Sequence, residues 1–530
     1  MNPVIVIPTY VGAKRKSASY NVVATYDHTT PVTHQGELPR CLTSLRDNGV
    51  SIPIILLVVA ETGVEREAST KIRDIATAFD ETLDIRVIDS RIVAEFHALA
   101  EDLGISTIKE GISLVGYGAT RNLGLVVAAC LGFSELIFID DDEVVTTPDF
   151  VDQALYGLGK LTKKGIPVLV KSGYYIDQNG HWKSQQSRAW YNRFWEQGVL
   201  FNKWITKAMT SPRLSRSNVL YGGLMAIHRE AFRRVSFDPW IPRGEDLDYL
   251  LNIRMYGGGA WFDNQWSILH MPPNVRNGAQ RFKQDVYRWI YEHRKLEFSK
   301  SQIDLLQIPP HSLDPYPGPF LENSIMTRVF ITALLRTIGL SGDRKGYFHA
   351  ARIARREAKA YAEMFCSKYF EFQLGWAQVL GTLEVDSKLK ALFGEASRVG
   401  PGPVRPVVEV EAENQHPWYV EQVPGSTSRY EAESDAYGNY SAESFDTASS
   451  AWDAQDTYSA QATQATHATH ATQTTQDTQG FQQVQTNRKD TESTPPAEGT
   501  KEANRGAHSK PDLFDFELDL EALGIALDKD

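Results

Sequence analysis

From residue 4 to about residue 290, short apolar runs alternate with stretches whose apolar positions recur at helical spacing. That alternation is the mark of an α/β sheet with strands buried on both faces. Strands are predicted over residues 4–7, 54–59, 85–88, 136–139, 168–170 and 224–227, the first ending at Pro8-Thr9-Tyr10. Helices are expected near 41–46, over 121–131 and over 244–256; the last has acidic residues in its first turn and Gly257-Gly258-Gly259 behind it. Residues 11–39 interrupt the pattern with a polar insertion carrying Lys14-Arg15-Lys16, a length typical of lids or unstructured segments.

Past residue 290 the period is helical only, over 324–340 and 347–381, with basic faces formed by Arg352, Arg355, Arg356 and Lys359. From 399 the chain turns to Pro, then to Ser, Thr, Gln and Ala, with Ala-Thr-Gln/His repeats around 462–475. Such a composition buries too little apolar surface to offset ordering entropy. The expected organisation is a sheet domain over 1–295, a helical extension over 296–398, a disordered linker over 399–509 and an acidic-apolar tail over 510–530. The tail reads as a solubilising end or as a docking segment for a protein partner or the chain's own basic helices.

The 530 residues carry 42% hydrophobic side chains, enough for a sizeable core, and a net charge of −11, which argues against a nucleic-acid partner. Cys41, Cys130 and Cys366 lie too far apart for a zinc motif and suggest no disulfide framework, so a reducing cytoplasm is the expected location. No apolar run is long enough to span a bilayer and no leader precedes the first strand, which leaves peripheral contact with the inner face of a membrane open.

The candidate chemistry begins where the strand at 136–139 breaks into Asp140-Asp141-Asp142-Glu143. Adjacent carboxylates raise one another's pKa, and a hard divalent cation, Mg²⁺ or Mn²⁺, would offset their repulsion. A solvated acidic turn is the plain alternative. Ligands of open α/β sheets gather at the carboxyl ends of strands. Upstream, Gly118 to Gly124 opens a helix whose N–H groups, with Arg121 and Asn122, suit an anionic nucleotide. Downstream, Tyr221-Gly222-Gly223 allows close backbone approach. Glu245-Asp246 begins a helix whose dipole favours ionised carboxylates, as a base requires. His270 closes a strand end.

In this order and spacing the residues over about 4–273 resemble the family-2 glycosyltransferases, which have the GT-A fold. The resemblance implies a mostly parallel nucleotide-binding sheet flanked by helices and a nucleotide-sugar donor. It also implies transfer of the sugar to a hydroxyl of a glycan, a lipid-linked or another acceptor. Pro8, Thr9 and Tyr10 would line the nucleobase pocket. Asp140 and Asp142 would be the Asp-x-Asp pair, Asp142 on Mn²⁺ or Mg²⁺ and Asp140 toward the nucleotide, with Asp141 a substitute and His270 completing the metal site. Asp246 would be the base of an inverting displacement, and Glu245 would orient acceptor or donor. The family's aspartates after the second strand are missing; Glu61 stands in that place, with Asp89 after the third strand as a second candidate for the base contact. The insertion would close over the donor with Lys14, Arg15 or Lys16 near its phosphates.

Three other readings compete: a nucleotidyltransferase, which would need a Gly-rich loop after the first strand; a metal-dependent phosphoesterase; and a non-catalytic scaffold displaying the tail. Trp182, Trp190, Tyr191, Phe194 and Trp195 read as core first and as a sugar-stacking wall second.

Overall fold

A computed structural model describes residues 1–13, 26, 29–105, 108–184, 189–273, 278–340 and 342–400. Lys14, Arg15 and Lys16, most of the linker at 399–509 and the whole tail at 510–530 lie outside the described residues.

The strands, in chain order, are β1 (Pro3–Gly12), β2 (Thr30–Pro31), β3 (Ile54–Ala60), β4 (Ile85–Ile88), β5 (Glu135–Ile139), β6 (Glu143–Val144), β7 (Val170–Ile176), β8 (Leu214–Arg216), β9 (Leu224–His228) and β10 (Ala260–His270). They form one sheet in the order β4-β3-β1-β5-β9-β7-β10-β6, with β2 on β1 and β8 on β10. The half from β4 to β5 is parallel; β9 runs antiparallel to both β5 and β7, and β7 and β10 are again parallel. The fold is thus mixed α/β with a mostly parallel sheet flanked by helices.

β1 is longer than its apolar core, continuing through Pro8-Thr9-Tyr10 to Gly12. The register Ile5↔Ile54 to Val11↔Ala60 against β3 holds it extended, so ladder partners carry the strand past the point where local composition turns polar. β7 likewise begins at Val170, later than expected, and runs to Ile176.

The helices are α1 (Leu38–Asp47), α2 (Glu65–Thr77), α3 (Ser90–Asp102), α4 (Tyr117–Cys130), α5 (Phe150–Leu155), α6 (Gln197–Met209), α7 (Arg229–Phe232), α8 (Glu245–Met255), α9 (Gly278–Ser299), α10 (Ile325–Gly339), α11 (Arg344–Arg355), α12 (Glu357–Leu383) and α13 (Ser387–Ala391). α4 is buried from Gly118 to Cys130, enclosed on all sides between the sheet and α12, apolar in its second half and polar at Thr120-Arg121-Asn122. Its entry needs glycine, because a Cβ at Gly118 would stand 1.9 Å from the Asp238 carbonyl oxygen.

The predicted stretch at 347–381 is two helices, α11 and α12, parted at Arg356, whose φ of −127° and ψ of −61° leave the helical region. α12 buries Ala358, Ala362, Cys366, Tyr369, Phe370, Gln373, Trp376, Leu380 and Leu383, one face at helical spacing. That face is bonded to the sheet domain. Trp376 Nε1 donates to Phe232 O at 2.7 Å, and Gln373 Oε1 accepts from Ser236 N at 2.8 Å. Full burial of such a side chain stabilises by about 1.5–3 kcal/mol. No helix among the described residues is long and apolar enough to cross a membrane.

Candidate active site

The carboxyl ends of β1 and β5, the turn before β9, the start of α8 and the end of β10 meet at one edge of the sheet. At the end of β5 the three aspartates diverge to three partners. Asp140 Oδ1 accepts from Arg121 Nη2 at 2.8 Å, Asp141 Oδ2 accepts from Thr9 Oγ1 at 2.7 Å, and Asp142 Oδ2 lies 3.4 Å from His270 Nε2. Glu143 folds back beneath them, its Oε2 accepting from Asp140 N at 2.9 Å and its carboxylate lying near Tyr175. Burial, then the charge of Asp142, pushes Asp141 up to about 8, and burial followed by Asp140 and Asp142 raises Glu143 well above its ordinary value.

His270 is held from behind by Tyr175 at the end of β7, whose ring stacks on the imidazole at 4.8 Å and 26°. The Tyr175 hydroxyl accepts from Gly223 N at 2.9 Å. Gly222 and Gly223 form the wedge between the aspartate turn and α8. A Cβ on Gly223 would stand 2.1 Å from Glu143 Oε1 and 2.8 Å from Asp140 Oδ2; one on Gly222 would stand 3.0 Å from Arg121 Nη2 and 3.2 Å from Glu245 Oε1. Two glycines therefore let backbone pass between carboxylates of opposite elements.

On the far side of the wedge, α8 opens at Gly244, which is left-handed at φ 75° and ψ 38°. A side chain there would also collide with Arg288, 2.0 Å from the Cβ position. Asp246 Oδ2 accepts from Gly222 N at 3.2 Å, its Oδ1 accepts from Leu247 N at 2.7 Å, and Arg288 Nη2 stands 3.9 Å away. Glu245 is buried beside Arg121, and burial outweighs that cation to raise its pKa. One turn on, Asp248 shares Lys295 Nζ with Asp238 at 2.8 Å each, all three side chains fully enclosed, which ties α8 to α9.

Arg121 is 2% exposed, holds Asp140 and Glu245 at once, stacks 4.7 Å over Phe138, and has a buried Nη1 with no hydrogen-bond partner among the described residues. Beside it, Tyr10, Tyr26 and Tyr117 form a half-exposed ring cluster with centroids 4.8 to 5.6 Å apart.

Three residues expected near the nucleotide have protein partners of their own. The Asn122 amide donates to Gly111 O and Phe237 O and accepts from Phe237 N, within the core. Glu61 is occupied by the insertion, accepting from Ala13 N at 2.9 Å and Thr29 Oγ1 at 3.4 Å. Asp89 is a helix cap, accepting from Ile92 N at 3.0 Å and paired with Arg73 and Ser69. Pro8 and Thr9 are buried in β1. Of the aromatics at 182–195, Trp195 is core against Phe282 and Phe320, whereas Trp190 is 57% exposed. Sequence reasoning gave Glu143 no role of its own within the acidic run and missed Tyr175 and Arg288; the strand expected over 168–170 stopped short of Tyr175, which the longer observed strand places near its carboxyl end.

Among the described residues no three His, Cys, Asp or Glu side chains form a ready-made metal cluster. The donor set nevertheless fits a cation that takes its remaining ligands from substrate. Two donors adjacent on one Mg²⁺-sized ion, each about 2.1 Å from it, stand about 3 Å apart, and Asp142 Oδ2 and His270 Nε2 stand 3.4 Å apart.

No protein-family model matches the chain, and no curated protein matches it. Solved structures similar to it include glycosyltransferases. One is the mannosyltransferase PcManGT from Pyrobaculum calidifontis in complex with GDP-Man and Mn²⁺, at 14% identity and TM-score 0.34, over 74% of this chain and 86% of that one. Another is glucosyl-3-phosphoglycerate synthase from Mycobacterium tuberculosis with phosphoglyceric acid, at 16% identity and TM-score 0.28, over 55% and 78%. A third is GalNAc-T7 with UDP, GalNAc and Mn²⁺, at 14% identity and TM-score 0.26, over 68% and 58%.

Proposed function

We propose that this protein is a metal-dependent glycosyltransferase of the GT-A type that moves a sugar from a nucleotide-diphosphate donor to an acceptor hydroxyl with inversion. The observation that carries the reading is the Gly222-Gly223 wedge. It separates Asp142 and His270, a pair suited to a cation, from Glu245 and Asp246, with Arg121 bridging Asp140 and Glu245.

Asp142 and His270 would hold Mn²⁺ or Mg²⁺. When bound, that ion would stabilise negative charge on the departing diphosphate. Asp246, kept in place by the N–H groups of Gly222 and Leu247, takes the proton of the acceptor hydroxyl. The acceptor oxygen bonds to the anomeric carbon as the bond from that carbon to the phosphate oxygen breaks. The Arg121 guanidinium, with one nitrogen unpaired among the described residues, supplies fixed positive charge to the donor side. Tyr10, Tyr26 and Tyr117 offer ring surface for a nucleobase.

The test is release of nucleoside diphosphate from a panel of UDP- and GDP-sugars with Mn²⁺, with and without chelator. Turnover abolished by chelation and by Asp246→Asn supports the reading; no turnover of any donor, with or without an acceptor panel, overturns it.

A further inference from the structure

The helical hairpin of α10 and α11 carries a surface that the proposed catalysis does not use. On α11, Tyr347, Ala350, Ala351 and Ile353 face the protein, and Arg344, Lys345, Phe348, His349 and Arg352 face outward. Arg344, Phe348 and Arg352 follow one another at i, i+4, so they form one stripe, and Arg356 extends it. No acidic residue lies in α11 itself, and none of Arg344, Lys345, Arg352 and Arg356 forms an ion pair among the described residues. His349, Arg352, Arg356 and Glu357 line an open pocket of about 380 Å³, room for a phosphate group.

Large apolar side chains stand out of this hairpin into solvent. Phe348 is 60% exposed, in the middle of the basic stripe, and Ile338 is 67% exposed at the end of α10. Trp190 stands beside it, because the turn Trp190–Asn192 lies against Gly339, where a Cβ would be 3.0 Å from the Trp190 ring. A basic helix with an aromatic in its charged stripe, next to exposed Ile and Trp, has the composition of an element lying in a membrane interface.

The chain as a whole is acidic, at −11, and would be repelled by an anionic surface. At physiological ionic strength charges beyond about 8 Å are screened, so the local patch decides the sign. A nucleic acid would use the cations but give the aliphatic Ile338 nothing to do. We propose that α11, with Phe348, Ile338 and Trp190, docks this protein on the surface of an anionic lipid bilayer, with a lipid phosphate in the Arg352–Arg356 pocket. The helix abuts the start of α9, eight residues after His270, where a Cβ on Gly278 would stand 2.9 Å from Tyr347 Oη.

The experiment is co-sedimentation of the full chain with phosphatidylglycerol-containing vesicles and with pure phosphatidylcholine vesicles, which reads no turnover and so stands or falls apart from the catalytic reading. The wild type is expected to partition onto the anionic vesicles only and to be released by salt. Each basic side chain near such a surface is worth about 1 kcal/mol, so Arg352→Glu with Arg356→Glu lowers partitioning at least tenfold, roughly, and Phe348→Ser lowers it independently. The altered residues are solvent-exposed, and unchanged thermal melting verifies that the variants fold. Failure of the wild type to partition, partitioning unaffected in folded variants, or loss of partitioning to millimolar inorganic phosphate at constant ionic strength would each overturn the proposal.

Discussion

Arg121 and Glu245, 124 residues apart in the chain, meet at 3.4 Å inside the protein, and the same guanidinium holds Asp140 at 2.8 Å. One cation thus joins the end of β5 to the start of α8. Arg121→Met leaves two carboxylates facing each other without it, and breaking such a buried pair costs about 3–5 kcal/mol. Urea unfolding of this variant is expected to give an unfolding free energy lowered by about that amount, with Arg121→Lys intermediate, since lysine cannot span both partners.

Asp246→Asn keeps the shape of the α8 start but cannot take a proton. Loss of a positioned base is worth about 10²–10⁴ in kcat. Titration calorimetry of the nucleoside diphosphate with Mn²⁺ is expected to give the wild-type affinity. A variant that loses binding and turnover together would move Asp246 from proton transfer to donor recognition.

His270→Ala should raise the Mn²⁺ concentration for half-maximal turnover about tenfold or more, since even the outer partners of metal ligands are worth 10- to 100-fold. Tyr175→Phe keeps the ring against His270 but loses the hydroxyl that anchors Gly223. A Mn²⁺ titration in which Tyr175→Phe is milder than Tyr175→Ala is the expected result.

Gly223→Ala places a methyl carbon 2.1 Å from Glu143 Oε1. Overpacking of this kind typically costs about 1–3 kcal/mol. Because both elements beside it carry candidate site residues, turnover should fall by more than the stability change suggests, measured by thermal melting beside kcat/KM.

Asp89 gives a pH signature. Burial raises its pKa, but the Ser69 hydroxyl, the Ile92 N–H and Arg73 outweigh burial and hold it below the usual carboxylate range. A depressed folded-state pKa contributes stability that is complete above the unfolded value of about 3.9 and is lost as pH falls through the folded one. Asp89→Ala should therefore cost about 1–2 kcal/mol at neutral pH, from the cap and its partners. The gap to wild type should close as the pH falls below 4, roughly, in denaturant titrations across pH.

β1, β3, β5 and β9 were legible because each holds an unbroken apolar run, and the aspartate turn because four acidic residues follow one of them without a break; β2, β6 and β8 are two or three residues long and β10 is broken by Asp263-Asn264-Gln265, so none of these four shows as such a run. What the sequence hid are properties of contact. Asn122 has the polarity of a ligand-binding residue, and only the approach of Gly111 and the Phe237 backbone turns its amide into a core clamp. Glu61 stands at the end of β3 as expected, but the returning insertion takes both of its oxygens. Arg288 lies 42 residues beyond Asp246 on α9, a helix the pattern did not announce, and no local spacing connects the two.

Cys41 has a use that its chemistry does not advertise. Its thiol is fully enclosed beneath the aspartate turn, the sulfur donating to Asp140 O at 3.8 Å, and burial followed by the charges of Asp141 and its neighbours holds its pKa well up. A reagent that alkylates thiolates reaches it only when the turn lifts off α1. The rate of its modification is therefore a clock for the opening of that turn, readable in the unlabelled native chain, and a ligand that closes the turn should slow it.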